Sequence, residues 1–469
     1  MGTRHDLVII GGGPAGYAAA LSAASSGLGV CIVEKGRIGG VCLHRGCIPT
    51  KQLLETASIL QKLKRAPEFG VVPAGGGDPS VDFGAAMARK VSTIESLHKG
   101  VVSLLNKHGV ELVDGIGRLA AGGVEVLVDN RVEQVLEAGS ILLATGSRPK
   151  SIPGFETDGE RLITSNEALE LSEIPGQIAI IGAGAIGVEF ASLFAGLGSK
   201  VSLIEAMPSI LPGADPEIST YLNRMLKRSG VSIYTAVSGL ATEPSGAGSL
   251  VTFDDSRGEA LRIEVDRVLV ATGRKPSGDE LASGGSGLGV DARGYVEVDP
   301  RTLATNLDDV YAAGDVIDTP ALAHVAFAEG ARLAGLLTGE SPQPIDYAKV
   351  PWCIYSHPEV AFAGMTEDSA REAFGDDLIV ARHRFGGLGR ALILGDPEGM
   401  VKVLSVRGGP IVGVHIVGAW ASELLSPGYL ATNLGLSPEA IAPLMQPHPS
   451  LSEAFGEAVR SLAGIPLHG

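Results

Sequence analysis

Two short stretches of the chain hold residues that could move protons and electrons. Cys42 and Cys47 lie in Gly39-Gly40-Val41-Cys42-Leu43-His44-Arg45-Gly46-Cys47-Ile48-Pro49-Thr50-Lys51. Four residues between the cysteines is not a zinc spacing, and no second C-x-x-C or histidine pair accompanies them, so no metal site is expected. A distorted turn can bring two such cysteines within disulfide reach. Pro49 fits the first turn of a following helix, whose positive end would lower a thiol pKa. Thiol–disulfide exchange is one reading; two buried cysteines acting as small hydrophobes is the other. Near the C-terminus, Gln446-Pro447-His448-Pro449-Ser450-Leu451-Ser452-Glu453 offers a base, His448, and an orienting acid, Glu453. His357-Pro358 repeats the dipeptide, so by itself it marks only a loop.

The elements that must hold these groups are written as an internal repeat. Leu7-Val8-Ile9-Ile10 runs into Gly11-Gly12-Gly13-Pro14-Ala15-Gly16, and Ile178-Ala179-Ile180-Ile181 runs into Gly182-Ala183-Gly184-Ala185-Ile186-Gly187. An alanine-rich helical stretch and a second apolar run follow each, ending in Glu34 and Glu205, 23 residues beyond the first glycine in both copies. In such a unit the first glycine (Gly11, Gly182) makes the tight turn. The second (Gly13, Gly184) lets the backbone approach a pyrophosphate, and the third (Gly16, Gly187) lets helix and strand pack closely. The pyrophosphate sits at the positive helix N-terminus, and the acid accepts from a ribose hydroxyl. Each copy has a returning strand and turn, Ile141 to Gly146 with Ala144-Thr145-Gly146, and Val268 to Gly273. Arg148-Pro149 and Lys275-Pro276 are expected to end those strands. A third element, Val310 to Asp315, leads into a helical stretch near 321–337.

The organisation expected is a first unit over 1–147, a second inserted at 148–273, a return segment over 274–346, and an α+β region over 347–469. A chain of 469 residues can bury a large core without disulfides or metals. Its 53 acidic and 37 basic residues argue against nucleic acid or an anionic membrane as partner. Only four cysteines are present, which suits a catalytic pair in a cytoplasmic protein better than a disulfide scaffold. Residues 7–33 carry no charge, but their glycine cluster, Pro14 and serines make a poor membrane span.

With these motifs in this order, the whole chain resembles the flavoprotein disulfide reductases, and within them the dihydrolipoamide dehydrogenases. The resemblance rests on Gly11 to Gly16, Gly39 to Lys51, Ala144 to Gly146, Gly182 to Glu189, Ala271 to Pro276, Val310 to Gly330, Val350 to Gly364 and His448 to Glu453. It implies an α/β protein with two Rossmann-like FAD/NAD(P)-binding domains and a C-terminal α+β dimerisation domain. It implies FAD on the first unit, with Glu34 at its adenosine ribose, Gly115 and Ala323 giving backbone contacts, and Asp315 at the ribityl chain. Lys51 would lie near the flavin, paired with Glu189. Cys47 would face the flavin, Cys42 would exchange with substrate, and His448, oriented by Glu453 and supplied by the other subunit of a homodimer, would carry the proton. NAD would sit on the second unit near Val237 and Gly273. Glu205 would repel a 2′-phosphate, and 206–211 hold no Arg or Lys to bind one, which favours NAD over NADP.

The activity so implied is oxidation of protein-bound dihydrolipoamide, delivered by a lipoylated acyltransferase of a 2-oxoacid dehydrogenase complex or by a glycine-cleavage carrier protein. Where the family often has Asn-Val, this chain has His44-Arg45, whose charge would lower the thiol pKa values. Two alternatives stand beside this reading: an NAD(P)H-dependent reductase of another disulfide or small thiol, and a non-catalytic flavin-binding assembly protein. The intact set Cys42, Cys47, Lys51, His448 and Glu453 favours a catalyst.

Overall fold

Each glycine cluster ends a buried apolar strand and opens a helix, and both parallel sheets are laid out around those two turns. The computed structural model describes residues 4–72, 77–120, 122–282 and 285–468. The chain forms two compact units: Met1–Gln52, Gly84–Lys150 and Gly273–Tyr347 make the first, and Leu53–Phe83, Ser151–Thr272 and Ala348–Gly469 the second.

In the first unit the strand Arg4–Ile10 lies between Val30–Glu34 and Arg131–Leu143, parallel to both. Glu111–Asp114 extends the sheet beside Val30–Glu34, and Val310–Ala312 pairs with the end of Arg131–Leu143. The start of Arg131–Leu143 instead continues antiparallel into Gly123–Val128 and Ile116–Ala120. Leu7 to Ile10 and Val30 to Val33 are buried on both faces, as continuous apolar runs in a covered parallel sheet should be. The helices Pro14–Ser25 and Ala323–Leu337 pack together, with the Tyr17 and Phe327 rings 5.4 Å apart. The uncharged stretch 7–33 is therefore strand, turn, helix and strand, and among the described residues no helix is long and apolar enough to cross a membrane.

In the second unit five parallel strands run in the order Ser232–Tyr234, Lys200–Ile204, Gln177–Ile181, Arg267–Val270, Leu162–Ile163. An antiparallel trio, Ser238–Ser245, Gly248–Asp254 and Ala260–Val265, adds Val251 and Phe253 to the core beside Ile181 and Val270. The C-terminal part is a five-stranded antiparallel sheet, Trp352–Ile354, Glu359–Gly364, Ile411–Gly418, Gly399–Val406 and Leu378–Arg384, with the helix Glu453–Leu462 on its face. The Arg-Pro and Lys-Pro dipeptides do more than stop strands. Ser147–Pro149 and Arg274–Pro276 form their own antiparallel ribbon, because Arg148 and Lys275 keep amides for the ladder.

One buried charge cluster fixes the C-terminal sheet. The Lys402 ammonium, 2 % exposed, lies 2.8 Å from Asp215, 2.9 Å from Glu367 and 3.1 Å from Glu217. Burial opposes ionisation of Lys402, but its bonds to Asp215 and Glu367 prevail and hold its pKa above the ordinary 10.5. Burial likewise raises Asp215, yet Lys402 and the Glu367 amide bring it below 3.8. The carboxylate's contribution is present above its unfolded pKa and is lost as pH falls through the lower folded value. The ammonium's is present below its unfolded pKa and is lost as pH rises through the higher folded value. The cluster therefore stabilises from the mildly acidic range to the ordinary lysine range. Removing one partner leaves an uncompensated buried charge, which costs about 3–5 kcal/mol. Lys402→Met is expected to lower the thermal midpoint at pH 7 by several degrees, and adding Asp215→Asn should restore part of it; equal loss in single and double variants would refute the coupling.

Candidate functional site

The two fingerprint turns are built alike. Gly11 (φ 108°) and Gly182 (φ 100°) take a left-handed backbone, and a Cβ on either would strike the carbonyl of Ala144 or Ala271 on the returning strand. A Cβ on Gly16 or Gly187 would run into the carbonyl of Gly11 or Gly182, so helix and turn close up only with glycine there. The acids hold the loops. Glu34 accepts from the Gly12 amide (2.7 Å) and the Gly36 amide (2.8 Å); Glu205 accepts from the Ala183 amide (2.6 Å) and the Met207 amide (2.8 Å). Each carboxylate keeps acceptor capacity for a ribose hydroxyl.

These turns fit nucleotide phosphates. Neither the helix Pro14–Ser25 nor Ala185–Leu197 has a side-chain cap, so its first amides face outward. A Cβ at Gly184 would meet nothing within 4 Å, and one at Gly13 only the Gly40 Cα at 3.9 Å, which leaves room for close approach. Beside the first turn, the Thr145 hydroxyl is buried without a hydrogen-bond partner. Ala144 donates to Ile10 at 2.9 Å and Gly146 turns the chain away at φ 69°. Gly115 receives a place at the same sheet end, its amide donating to Glu34 O at 3.0 Å. In the second unit Val237 is buried and donates to Glu205 O at 3.2 Å. Gly273 opens the last segment of the first unit, and its carbonyl accepts from Lys150 at 3.0 Å.

The cysteine segment leans on the first turn. The Gly39 amide donates to Gly12 O at 2.8 Å, and the short helix Gly40–Arg45 then carries Cys42. The chain breaks at Gly46 and restarts as the helix Cys47–Arg65, with Cys47 and Lys51 one turn apart. Cys42 and Cys47 are half-buried, with their sulfurs within side-chain hydrogen-bond reach of each other. That bond, then burial, pushes the Cys42 thiol up, while the Lys51 ammonium pulls it down. Tyr17 is pushed to about 12 by burial and then by the charge of both cysteines, which places its phenol beside the pair. The positive charge expected of His44 is opposed by its surroundings. Its Nε2 donates to Ile38 O at 2.8 Å, and burial, the largest influence on it, lowers its pKa; His98 donates to the same oxygen at 2.9 Å. Arg45 is exposed.

Asp315 belongs to a group that sequence reading found only in part. Its carboxylate accepts from Ser147 Oγ at 2.6 Å and stands 3.6 Å from Arg274 Nε, which also donates to Ser147 Oγ at 2.7 Å. Ser147 and Arg274 sat beside quoted motifs, but nothing local marks them as partners of Asp315. Behind it, the fully buried Glu329 accepts from the Gly314 amide (2.6 Å) and Tyr347 Oη (2.9 Å), and burial raises its pKa. Ala323 is the first residue of the helix Ala323–Leu337, whose start also has no side-chain cap.

In the second unit, His448 Nδ1 lies 2.8 Å from Glu453 Oε1, and Glu453 Oε2 accepts from the Ser450 amide at 2.8 Å. Burial raises Glu453, but the Ser450 amide and His448 outweigh it and hold the carboxyl below its usual range. A carboxylate on Nδ1 fixes the tautomer that leaves Nε2 as the proton acceptor. The ring is 75 % exposed. Glu189 is buried on the helix Ala185–Leu197, and its Oε1 accepts from the Tyr355 amide at 3.0 Å.

Comparison with known proteins agrees with this arrangement. Residues 5–330 match the model of the pyridine nucleotide-disulphide oxidoreductases, and 350–459 match the dimerisation domain of the same family. A dihydrolipoyl dehydrogenase of Bacillus subtilis is 36 % identical over the full length of both chains. A second from that organism is 38 % identical over 98 % of this chain and 99 % of its own. Among solved structures, LpdA from Mycobacterium tuberculosis superposes with a TM-score of 0.89 at 27 % identity, covering 98 % of this chain and 99 % of that one. The HOCl-induced flavoprotein disulfide reductase RclA from Escherichia coli, solved as a Cu(II) complex, gives 0.86 at 27 % identity over the same shares. FAD and NAD are the cofactors of such enzymes, and the two turns described above suit them. With both family models matched in order along one chain, this protein belongs to the pyridine nucleotide-disulphide oxidoreductases.

Proposed function

We propose that the chain is an NAD-linked dihydrolipoamide dehydrogenase working as a homodimer in the cytoplasm. The observation that carries the proposal is the pair of thiols, Cys42 and Cys47, held in mutual reach against the first glycine turn with Lys51 one helical turn on. The 36–38 % identity to dihydrolipoyl dehydrogenases over whole chains supports the substrate.

In this mechanism His448 Nε2 takes a proton from one thiol of dihydrolipoamide, and Glu453 stabilises the imidazolium. The substrate thiolate attacks Cys42 Sγ of the Cys42–Cys47 disulfide, and Cys47 leaves as the thiolate. The second substrate thiol attacks the substrate sulfur of the mixed disulfide and closes the lipoyl ring. Cys42 departs with the proton held by His448, and the second thiol's proton passes to the freed imidazole, leaving one proton on Cys42, one on His448 and Cys47 as the thiolate. The elevated Cys42 pKa beside Cys47 suits these roles, a protonated Cys42 supporting a Cys47 thiolate. FAD and NAD supply the two-electron and hydride chemistry. Gly11, Gly13, Gly16, Ala144, Thr145 and Gly146 would hold the FAD side, and Gly182, Gly184, Gly187, Glu205 and Val237 the NAD side. Lys51 would stand beside the flavin.

The homodimer is needed because His448 is to serve the cysteines of a second copy. Leu430, Leu434, Leu444 and Met445 are each more than half exposed in the region matched to the dimerisation domain or beside His448, as an unpaired interface would leave them. The lipoyl group would arrive on an acyltransferase of a 2-oxoacid dehydrogenase complex or on a glycine-cleavage carrier protein.

The direct test follows NADH formation by FAD-loaded enzyme with dihydrolipoamide. Turnover with NAD, far slower with NADP and abolished by Cys42→Ser, is expected. A reducible enzyme that turns over other dithiols but not dihydrolipoamide would move the assignment to another thiol. His448→Gln should lower kcat by about 10²–10⁴-fold, the span of general acid–base catalysis. Glu453→Gln should fall between that variant and wild type, with the fold intact by circular dichroism; a wild-type rate in either variant would remove the proton-carrier role.

A further inference from the structure

Three residues that the proposed chemistry does not use meet at one end of the first unit's sheet. They are His5 on Arg4–Ile10, Cys31 on Val30–Glu34 and Glu111 on Glu111–Asp114, three adjacent strands. Cys31 and Glu111 are direct register partners. The His5 and Cys31 ligand atoms and a Glu111 carboxylate oxygen all lie within 4.8 Å of one another. Sequence reading could not assemble them, since 26 and 80 residues separate them (31 − 5 and 111 − 31) and no metal motif has such spacing.

His5 is 5 % exposed, and its Nε2 is buried with no hydrogen-bond partner. A polar atom left so is costly and calls for a ligand. Its separation from Glu111 Oε2 is 3.5 Å. Two ligands on a tetrahedral zinc ion, at zinc–nitrogen and zinc–oxygen distances of about 2.0–2.2 Å, stand about 3.4 Å apart. Cys31 is fully buried, while the Glu111 side chain is 47 % exposed, so the cluster has one side open to an entering ion and to water.

We propose that His5, Cys31 and Glu111 bind one zinc-type divalent cation, with water in the fourth position. The donor set is one nitrogen, one sulfur and one oxygen, which suits zinc and excludes calcium and magnesium, ions that take oxygen ligands. Charge balances within the cluster: a thiolate and a carboxylate neutralise a 2+ ion, and a neutral imidazole adds nothing. Metal binding releases the thiol proton to solvent as the Zn–S bond forms. All three residues lie at or near the N-terminal starts of parallel strands, whereas the glycine turn and Glu34 lie at the opposite ends. The ion would tie three strands together away from the nucleotide, a structural role independent of which thiol substrate the enzyme takes.

The test uses FAD-loaded enzyme carrying Cys42→Ser, Cys47→Ser and Cys353→Ser, which leaves Cys31 as the only thiol. After equilibration with Zn²⁺ and removal of free metal, about one zinc per chain is expected, with one sulfur neighbour at about 2.3 Å by X-ray absorption and a raised thermal midpoint. Glu111→Gln, at a half-exposed position, and His5→Gln should each weaken zinc binding at least tenfold in chelator competition and remove the thermal shift. No retained zinc, zinc without a sulfur neighbour, or unchanged affinity in both variants would overturn the proposal.

Discussion

The redox segment depends on an approach of two backbones that only glycine permits. The Gly39 amide bonds to the Gly12 carbonyl, and a Cβ on Gly40 (φ 59°) would stand 2.7 Å from the Gly13 Cα. A Cβ on Gly39 (φ 110°) would strike Leu43 of the helix that carries Cys42. No side chain fits between the first glycine turn and the cysteine segment, so the two pack backbone against backbone. A nucleotide on the Gly11–Gly16 turn would therefore have its distance from the thiols set by backbone rather than by side-chain rotamers.

That coupling explains why so much was legible in the sequence. The fingerprint glycines, the acids 23 residues on and the helix near 321–337 are dictated by local stereochemistry, and they stand where the pattern puts them. Burial of Leu7 to Ile10 follows from an uninterrupted apolar run. What stayed hidden is the pairing of polar groups remote in sequence. Ser147, Arg274 and Asp315 come together because the Ser147–Pro149 and Arg274–Pro276 ribbon brings their strands alongside, and that ribbon was read only as two strand ends. Asp215 and Lys402 are 187 residues apart and carry no motif. His44 was read as a charge between the thiols; partial burial, which lowers its pKa, outweighs the bond to the Ile38 carbonyl, which favours the charged ring.

The thiol pair and the histidine are prepared in different ways. At Cys42 the environment keeps a proton on sulfur, through Cys47 and burial, with Lys51 opposing. At His448 the ring is exposed, and its preparation is orientational: Glu453 is itself pinned by the Ser450 amide at the start of a helix, where a carboxylate is favoured by the dipole. The half-buried thiols are thus prepared by their electrostatic surroundings and the exposed ring by its orientation.

The two acids make the last connection between fold and specificity. Glu34 and Glu205 each accept two amides of their own turn, one before and one after the strand they end. Each is thus a loop anchor, whatever ribose it would also receive. At the second turn, a 2′-phosphate would have to displace or neutralise a carboxylate that the backbone requires, and 206–211 hold no cation to compensate. A preference for NAD would then be a by-product of how the turn is held together. Changing it requires a new anchor for the Ala183 and Met207 amides as well as a new charge, because replacing the carboxylate alone frees two backbone donors without creating a phosphate site.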